Sequence, residues 1–149
     1  MIYTQEEKEK MDAVLLAFQS YVDGREDYDV IYSQKAGYLR VLTGESCDAV
    51  YFPITGFADM VKMFTDDFLA EENPSGHYRE QDYDRVRSML APRLDALGDH
   101  RQEAYGILEE TFEASRRRRV HFQQERLEQI HQLEELLQDL RSSLFSSER

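Results

Sequence analysis

The segment 44–48, Gly-Glu-Ser-Cys-Asp, is the first candidate for nucleophilic chemistry, because it places a serine and the chain's one cysteine, Cys47, just after a glycine. A nucleophile elbow needs a second glycine after the nucleophile and a strand-to-helix context. Here the second glycine is missing, and the flanking residues predict a hairpin. An activated serine or cysteine also needs a base held in a fixed geometry, and the sequence identifies none. We therefore interpret Cys47 as a turn residue and assign no catalytic residue.

Glu128 and His131 have the Glu-x-x-His spacing used by carboxylate-bridged di-metal helix bundles. Such sites need a second copy of the motif and further glutamates on facing helices. His100 and Glu103 occur in the reverse order and lie far upstream, so only a dimer could bring two copies together. The acidic clusters elsewhere lack the glycine and glutamate positions of a calcium loop. We therefore expect no metal site and no cofactor.

Four consecutive arginines, residues 116–119, form the most conspicuous charged motif. A guanidinium group binds phosphates or carboxylates bidentately, so the run could grip a phosphate backbone or an acidic protein surface. Consecutive helix residues point about 100° apart, however, so the arginines encircle a helix and do not form one basic face. Glu113 is also placed to pair with Arg117 within the helix. A solvated, salt-bridged helix turn and an acidic protein surface therefore both remain open.

Nine tyrosines and eight phenylalanines form the aromatic content, and tryptophan is absent. Four tyrosines could line a pocket between a sheet and its covering helices: Tyr32, Tyr38, Tyr51 and Tyr78. Apolar walls with a few polar groups are typical of small-molecule sites. The alternative is that these rings belong to the core, with each hydroxyl reaching solvent or a partner.

The composition limits the class of protein. The chain has 149 residues and a formal net charge of −12, which disfavours phosphate backbones and anionic lipid surfaces as partners. No run of about 18 apolar residues is present to span a membrane, and residues 1–7 are acidic where a signal peptide would be basic. One cysteine cannot build an internal disulfide framework, so we expect a cytoplasmic protein.

The elements that would position these residues predict an α+β fold in which helix predominates. Thr4 begins a helix predicted over 5–23, since a glutamate follows at capping-box spacing and apolar residues repeat at helical spacing. Short β-branched and aromatic runs then predict a three-stranded antiparallel meander over 29–54, with Pro53 at a strand end or an edge. Two helices follow, the second interrupted by Pro92. The predicted core residues are Val14, Phe18, Val30, Val41, Phe52, Val61 and Phe64.

One long amphipathic helix is predicted at the C-terminal end, because residues 107–149 contain neither glycine nor proline and are rich in good helix formers. We therefore divide the chain into a compact α+β body, residues 1–98, and a long helix, residues 99–149. Residues 1–99 carry 20 acidic and 10 basic side chains, a net charge of −10. The acidity therefore resides in the body.

The apolar residues of that helix predict self-association. Its C-terminal part has the alternating four-three spacing of a coiled-coil seam, formed by Ile130, Leu133, Leu137, Leu140 and Leu144. A second copy of the chain would cover this seam and give a homodimer, although the chain's own preceding helix is an alternative.

A second stripe, upstream of the seam, mixes phenylalanines with arginines, and a change of spacing separates the two. A buried unpaired guanidinium is costly, so we expect this stretch to dock on acidic groups of the body or of a protein partner, unless it is simply solvated. The docking residues would be Arg116, Arg119, Phe122 and Arg126.

Two functional classes follow from the sequence. The first is a non-enzymatic interaction or scaffold protein, an acidic body on a self-associating helix. The second is a small-molecule-binding domain or an enzyme that uses the tyrosine-rich region. The apolar seam favours the first, and the lack of a nucleophile, base or metal constellation weakens the second without excluding it.

Overall fold

The computed structural model describes the backbone of residues 3–147 and the side chains of residues 3–144. It confirms the predicted α+β class, in which N-terminal helices precede a three-stranded antiparallel sheet and further helices end in one long helix. The elements are α1 (Gln5–Ala17), α2 (Gln19–Asp23), β1 (Tyr28–Ser33), β2 (Gly37–Thr43), β3 (Ala49–Ile54), α3 (Phe57–Glu72), α4 (Glu80–Asp95), a 3-10 turn (Gly98–His100) and α5 (Arg101–Ser147).

The first predicted helix is broken in two at Phe18. Thr4 caps α1 as expected, since its hydroxyl accepts a hydrogen bond from the Glu7 amide at 3.1 Å. The helix was predicted to run through residue 23, but Phe18 leaves helical geometry with φ −104° and ψ 9°. Its ring stacks flat on Phe64, with ring centroids 4.2 Å apart. The carbonyl of Ala17, at the break, accepts a hydrogen bond from Arg93 at 2.9 Å.

The sheet has the order β1-β2-β3, and its helix-facing side is the one that carries the even-numbered strand residues. On that side Tyr28, Val30, Tyr38 and Ile54 are buried. The sheet is tied to α1 by a hydrogen bond from Tyr38 to Asp12 and to α3 by one from Arg40 to Asp67. The Arg40–Asp67 distance is 2.7 Å.

Two of the predicted core residues, Val41 and Phe52, are not part of the buried core. Val41 occupies the opposite side of the sheet and is half-buried, because its position differs by one residue from the helix-facing set. Phe52 has the correct parity but is 46% exposed, since β3 is an edge strand and only its end at Ile54 is buried. The other five predicted core residues, Val14, Phe18, Val30, Val61 and Phe64, are buried.

Both edges of the sheet carry a feature that hinders pairing with another strand. Pro53 lies in the edge strand β3, as expected, and lacks an amide donor. On the other edge, the amide of Val30 donates to the side chain of Asp29 at 2.8 Å. A bonded amide cannot serve a docking strand, so strand addition is disfavoured on both sides.

The helices α3, α4 and the first turns of α5 complete the core. Tyr83 of α4 packs on Phe112 of α5 with centroids 5.0 Å apart, and Arg87 pairs with Glu109 at 2.6 Å. Pro92 was expected to interrupt its helix, but α4 continues to Asp95. The proline is exposed, and the one intrahelical bond that it cannot form is that from its own position to the Ser88 carbonyl.

The division between the chain's two compact units falls inside α5, after Phe112. The first turns of the long helix thus belong to the body, and the second unit begins at Glu113. No helix among the described residues is both long and apolar enough to cross a membrane.

Candidate functional site

The seam predicted from the four-three spacing lies on one uninterrupted helix, since α5 runs without a break through the whole stretch. Its five residues are between 44% and 65% exposed. Side chains at this spacing share one face of a helix, so the structure brings all five together as a continuous apolar stripe. The seam comprises Ile130, Leu133, Leu137, Leu140 and Leu144.

Two further leucines widen this stripe, and the heptad pattern alone did not single them out. Leu127 and Leu136 are each more than half exposed and flank the seam. In a heptad that places Ile130 at position a, Leu127 falls at e and Leu136 at g. Reading the flanking positions as well as the a and d positions would have identified them. The apolar surface is therefore broader than the minimal coiled-coil seam.

The arginine run, residues 116–119, lies three residues after the start of the second compact unit at Glu113. Arg116 and Arg117 both approach Glu113, at 3.4 Å and 3.7 Å, so the predicted intrahelical pairing with Arg117 is confirmed. Phe122 is 55% exposed, and the side chains of Arg119 and Arg126 are also exposed. The structure thus places these side chains on the helix, while their docking on an acidic surface stays a prediction.

Glu128 and His131, the pair considered for metal binding, are both exposed on α5. His131 Nε2 lies 3.1 Å from Glu135, one helical turn away. Across the part of the chain that the structure describes, no group of three or more histidine, cysteine, aspartate or glutamate side chains could hold a metal ion.

The four tyrosines proposed for a pocket occupy different environments. Tyr32 and Tyr38 pair across β1 and β2, with ring centroids 4.9 Å apart. Tyr38 is 1% exposed, and burial together with its hydrogen bond to Asp12 raises the pKa of its hydroxyl. Tyr51 pairs with Val41 and thus lies on the other side of the sheet, while Tyr78 packs beside α4. The structure brings two of the four together.

A charged cluster that the sequence did not indicate lies between the sheet and α3. Asp67 accepts the hydrogen bond from Arg40, whose guanidinium lies 4.9 Å from the centre of the Tyr28 ring. Burial raises the pKa of Asp67, and the positive charge of Arg40 opposes that rise. The one available signal was the alternation of side chains along β2. Arg40 lies two residues from both Tyr38 and Leu42, so it points to the same, helix-covered side of the sheet. Nothing in the sequence pointed to Asp67 as its partner.

Beside this cluster, an open groove of about 250 Å³ runs between the sheet and α3. It is smaller than the usual range of about 300–1,000 Å³ for ligand sites. None of the four proposed tyrosines lines it. Its walls are formed by Arg40, Phe52, Pro53, Ile54, Asp59, Lys62, Met63 and Asp66. The mixed charges and the open shape give little support to a small-molecule site.

No family model matches the chain, and neither a curated protein nor a solved structure is similar enough to count as a match. We therefore infer the function of the chain from its own geometry. Among the surfaces described above, the seam on α5 is the largest run of exposed apolar side chains.

Proposed function

We propose that the chain is a non-enzymatic interaction or scaffold protein, in which an acidic α+β body self-associates through the C-terminal part of α5. The observation that carries this proposal is the exposed seam from Ile130 to Leu144. A contiguous apolar stripe of this kind marks a protein interface. Its heptad spacing fits a second helix of the same kind, so the interface would be a homodimeric coiled coil.

The energy available from the seam is of the right order for a dimer. Full burial of a leucine or isoleucine side chain contributes about 1.5–3 kcal/mol. Five side chains per helix, each roughly half exposed, offer on the order of 10 kcal/mol from two copies. Association costs about 4–15 kcal/mol, which is of the same order as this gain.

The cellular setting is part of the same proposal. Cys47 is a free, exposed thiol, and such a thiol is most compatible with a reducing compartment. We therefore place the protein in the cytoplasm, where the acidic body could present a docking surface to a protein partner.

Light scattering behind a sizing column tests the proposal. At tens of micromolar, the parent chain should have twice its monomer mass of 17.6 kDa. Replacing Leu137 and Leu140 by Asp should give a monomer, because a dimer would then bury two unpaired negative charges from each helix. A matched variant, Gln124→Asp with Gln132→Asp, adds the same charge outside the seam and should remain dimeric. A parent chain of monomer mass would refute self-association.

A further inference from the structure

The heptad register of the seam also assigns the residues that would flank it in a dimer. Ile130, Leu137 and Leu144 occupy position a, and Leu133 and Leu140 occupy position d. The e positions within the seam are then Glu134 and Arg141, and the g positions are Gln129, Leu136 and Ser143. The e and g side chains set the orientation of two helices, because they meet across the interface.

The two possible orientations bring different flanking residues together. In a parallel pair, each g residue meets the e residue of the following heptad on the other helix, so Leu136 would face the guanidinium of Arg141 and no opposite charges would meet. In an antiparallel pair, e residues meet e residues. In the antiparallel alignment that places Leu137 opposite Leu140, Glu134 faces Arg141 of the second copy, and twofold symmetry repeats the pair. Shifting that alignment by one heptad would instead bring two Glu134 side chains together. Charge complementarity therefore favours the antiparallel arrangement.

Among the described residues of α5, neither Glu134 nor Arg141 has an oppositely charged partner. Side chains three or four residues away are the ones a helical residue can reach. Around Glu134 and Arg141 those positions hold no residue of opposite fixed charge. Within the described residues, neither side chain forms an ion pair. By contrast, the neighbouring Glu135 pairs with His131 at 3.1 Å.

We propose that the seam is occupied by a second copy of this chain running antiparallel, with two reciprocal Glu134–Arg141 ion pairs. This inference rests on the proposed self-association and adds its geometry. The alignment places Leu137 opposite Leu140 and Leu133 opposite Leu144, so these four leucines of each helix form the paired layers and Ile130 lies beyond them.

Cross-linking tests the orientation directly. In a Cys47→Ser background, one protein carries Leu133→Cys and a second, distinguishable by mass, carries Leu144→Cys. After mixing and mild oxidation, an antiparallel dimer yields a disulfide between the two different proteins. A parallel dimer links each protein to its own kind, which would overturn this proposal and leave self-association standing.

The other outcomes of that experiment are also decisive. A dimer by light scattering that forms no cross-link would overturn the alignment, because a disulfide needs Cα atoms within about 7 Å. A parent chain that stays monomeric would refute the proposed function itself and the orientation with it.

Charge reversal provides an independent test. Glu134→Arg should weaken the dimer roughly tenfold, because it brings two like-charged pairs together, and Arg141→Glu should do the same. Combining both changes in one chain restores opposite charges and should recover the parent dissociation constant, measured by sedimentation. Glu128→Arg, an equal charge change at an outward-facing position, is the control and should leave the constant unchanged. Failure of the combined variant to recover would overturn the antiparallel ion pairs.

Discussion

Arg93 holds the break between α1 and α2, and we expect its removal to destabilise the fold. Its Nη1 donates to the Ala17 carbonyl at 2.9 Å and to the Ser20 hydroxyl at 3.2 Å, and its guanidinium lies 5.4 Å from the Phe18 ring centre. A hydrogen bond from a charged group contributes about 1.5–3 kcal/mol, and a cation–π contact about 0.5–1 kcal/mol at an exposed site. Arg93→Met should therefore cost about 2–4 kcal/mol of unfolding free energy.

Chemical denaturation followed by circular dichroism measures this cost. The Leu137→Asp, Leu140→Asp background is preferable, because the stability of a dimer depends on its concentration. Arg101→Met removes an exposed arginine and serves as the control, with an expected change within about 0.5 kcal/mol. If Arg93→Met also falls within that limit, the role assigned to Arg93 at the helix break is wrong.

Three further predictions concern charged residues. Replacing Arg119 and Arg126 together by Glu should lower the melting temperature in a salt-dependent manner if that stretch docks on an acidic surface; a variant that melts like the parent would show a solvated stretch. Metal analysis of protein purified without chelator should find no stoichiometric zinc, iron or manganese. A stoichiometric metal content in the parent that disappears in the His131→Ala variant would contradict this expectation. Hydrogen bonds, first that from the Arg79 amide, lower the pKa of Asp82 to about 2, below its unfolded value of about 3.9. Its ionised form therefore stabilises the fold above pH ~4, and this contribution is lost as the pH falls towards ~2. In denaturation curves, the Asp82→Asn variant should therefore lose less unfolding free energy than the parent between pH ~4 and pH ~2. The Asp48→Asn variant should lose as much as the parent.

The class and order of the elements were predictable because local patterns decide them. Turn residues separate the three strands, and Thr4 caps α1 through a contact within its own first turn. The long α5 was predictable from the lack of glycine and proline after Gly106. These features depend on residues close together in the chain, which a sequence shows directly.

The parts that were missed depend on residues far apart in the chain. The break at Phe18 is tied to Phe64 and Arg93, and neither is a sequence neighbour. Phe52 has the pattern of a core residue, but no local signal shows that the helices leave most of β3 uncovered. The pairing of Arg40 with Asp67 likewise requires the docking of α3 on the sheet.

Within the candidate site, the seam and its flanking charges were present in the sequence, because a heptad repeat directly encodes one helix face. The sequence could not show whether the four tyrosines lie together, because the strand register decides which residues of different strands lie on the same side of the sheet. The register separates Tyr51 from Tyr32 and Tyr38.

Sedimentation velocity of the unmodified 149-residue chain, over a concentration series through tens of micromolar, tests self-association most directly. We expect a boundary that shifts with concentration from the 17.6 kDa monomer to a species of twice that mass. A single monomer boundary at every concentration would contradict it, because the exposed seam of α5 would then have no partner in a second copy.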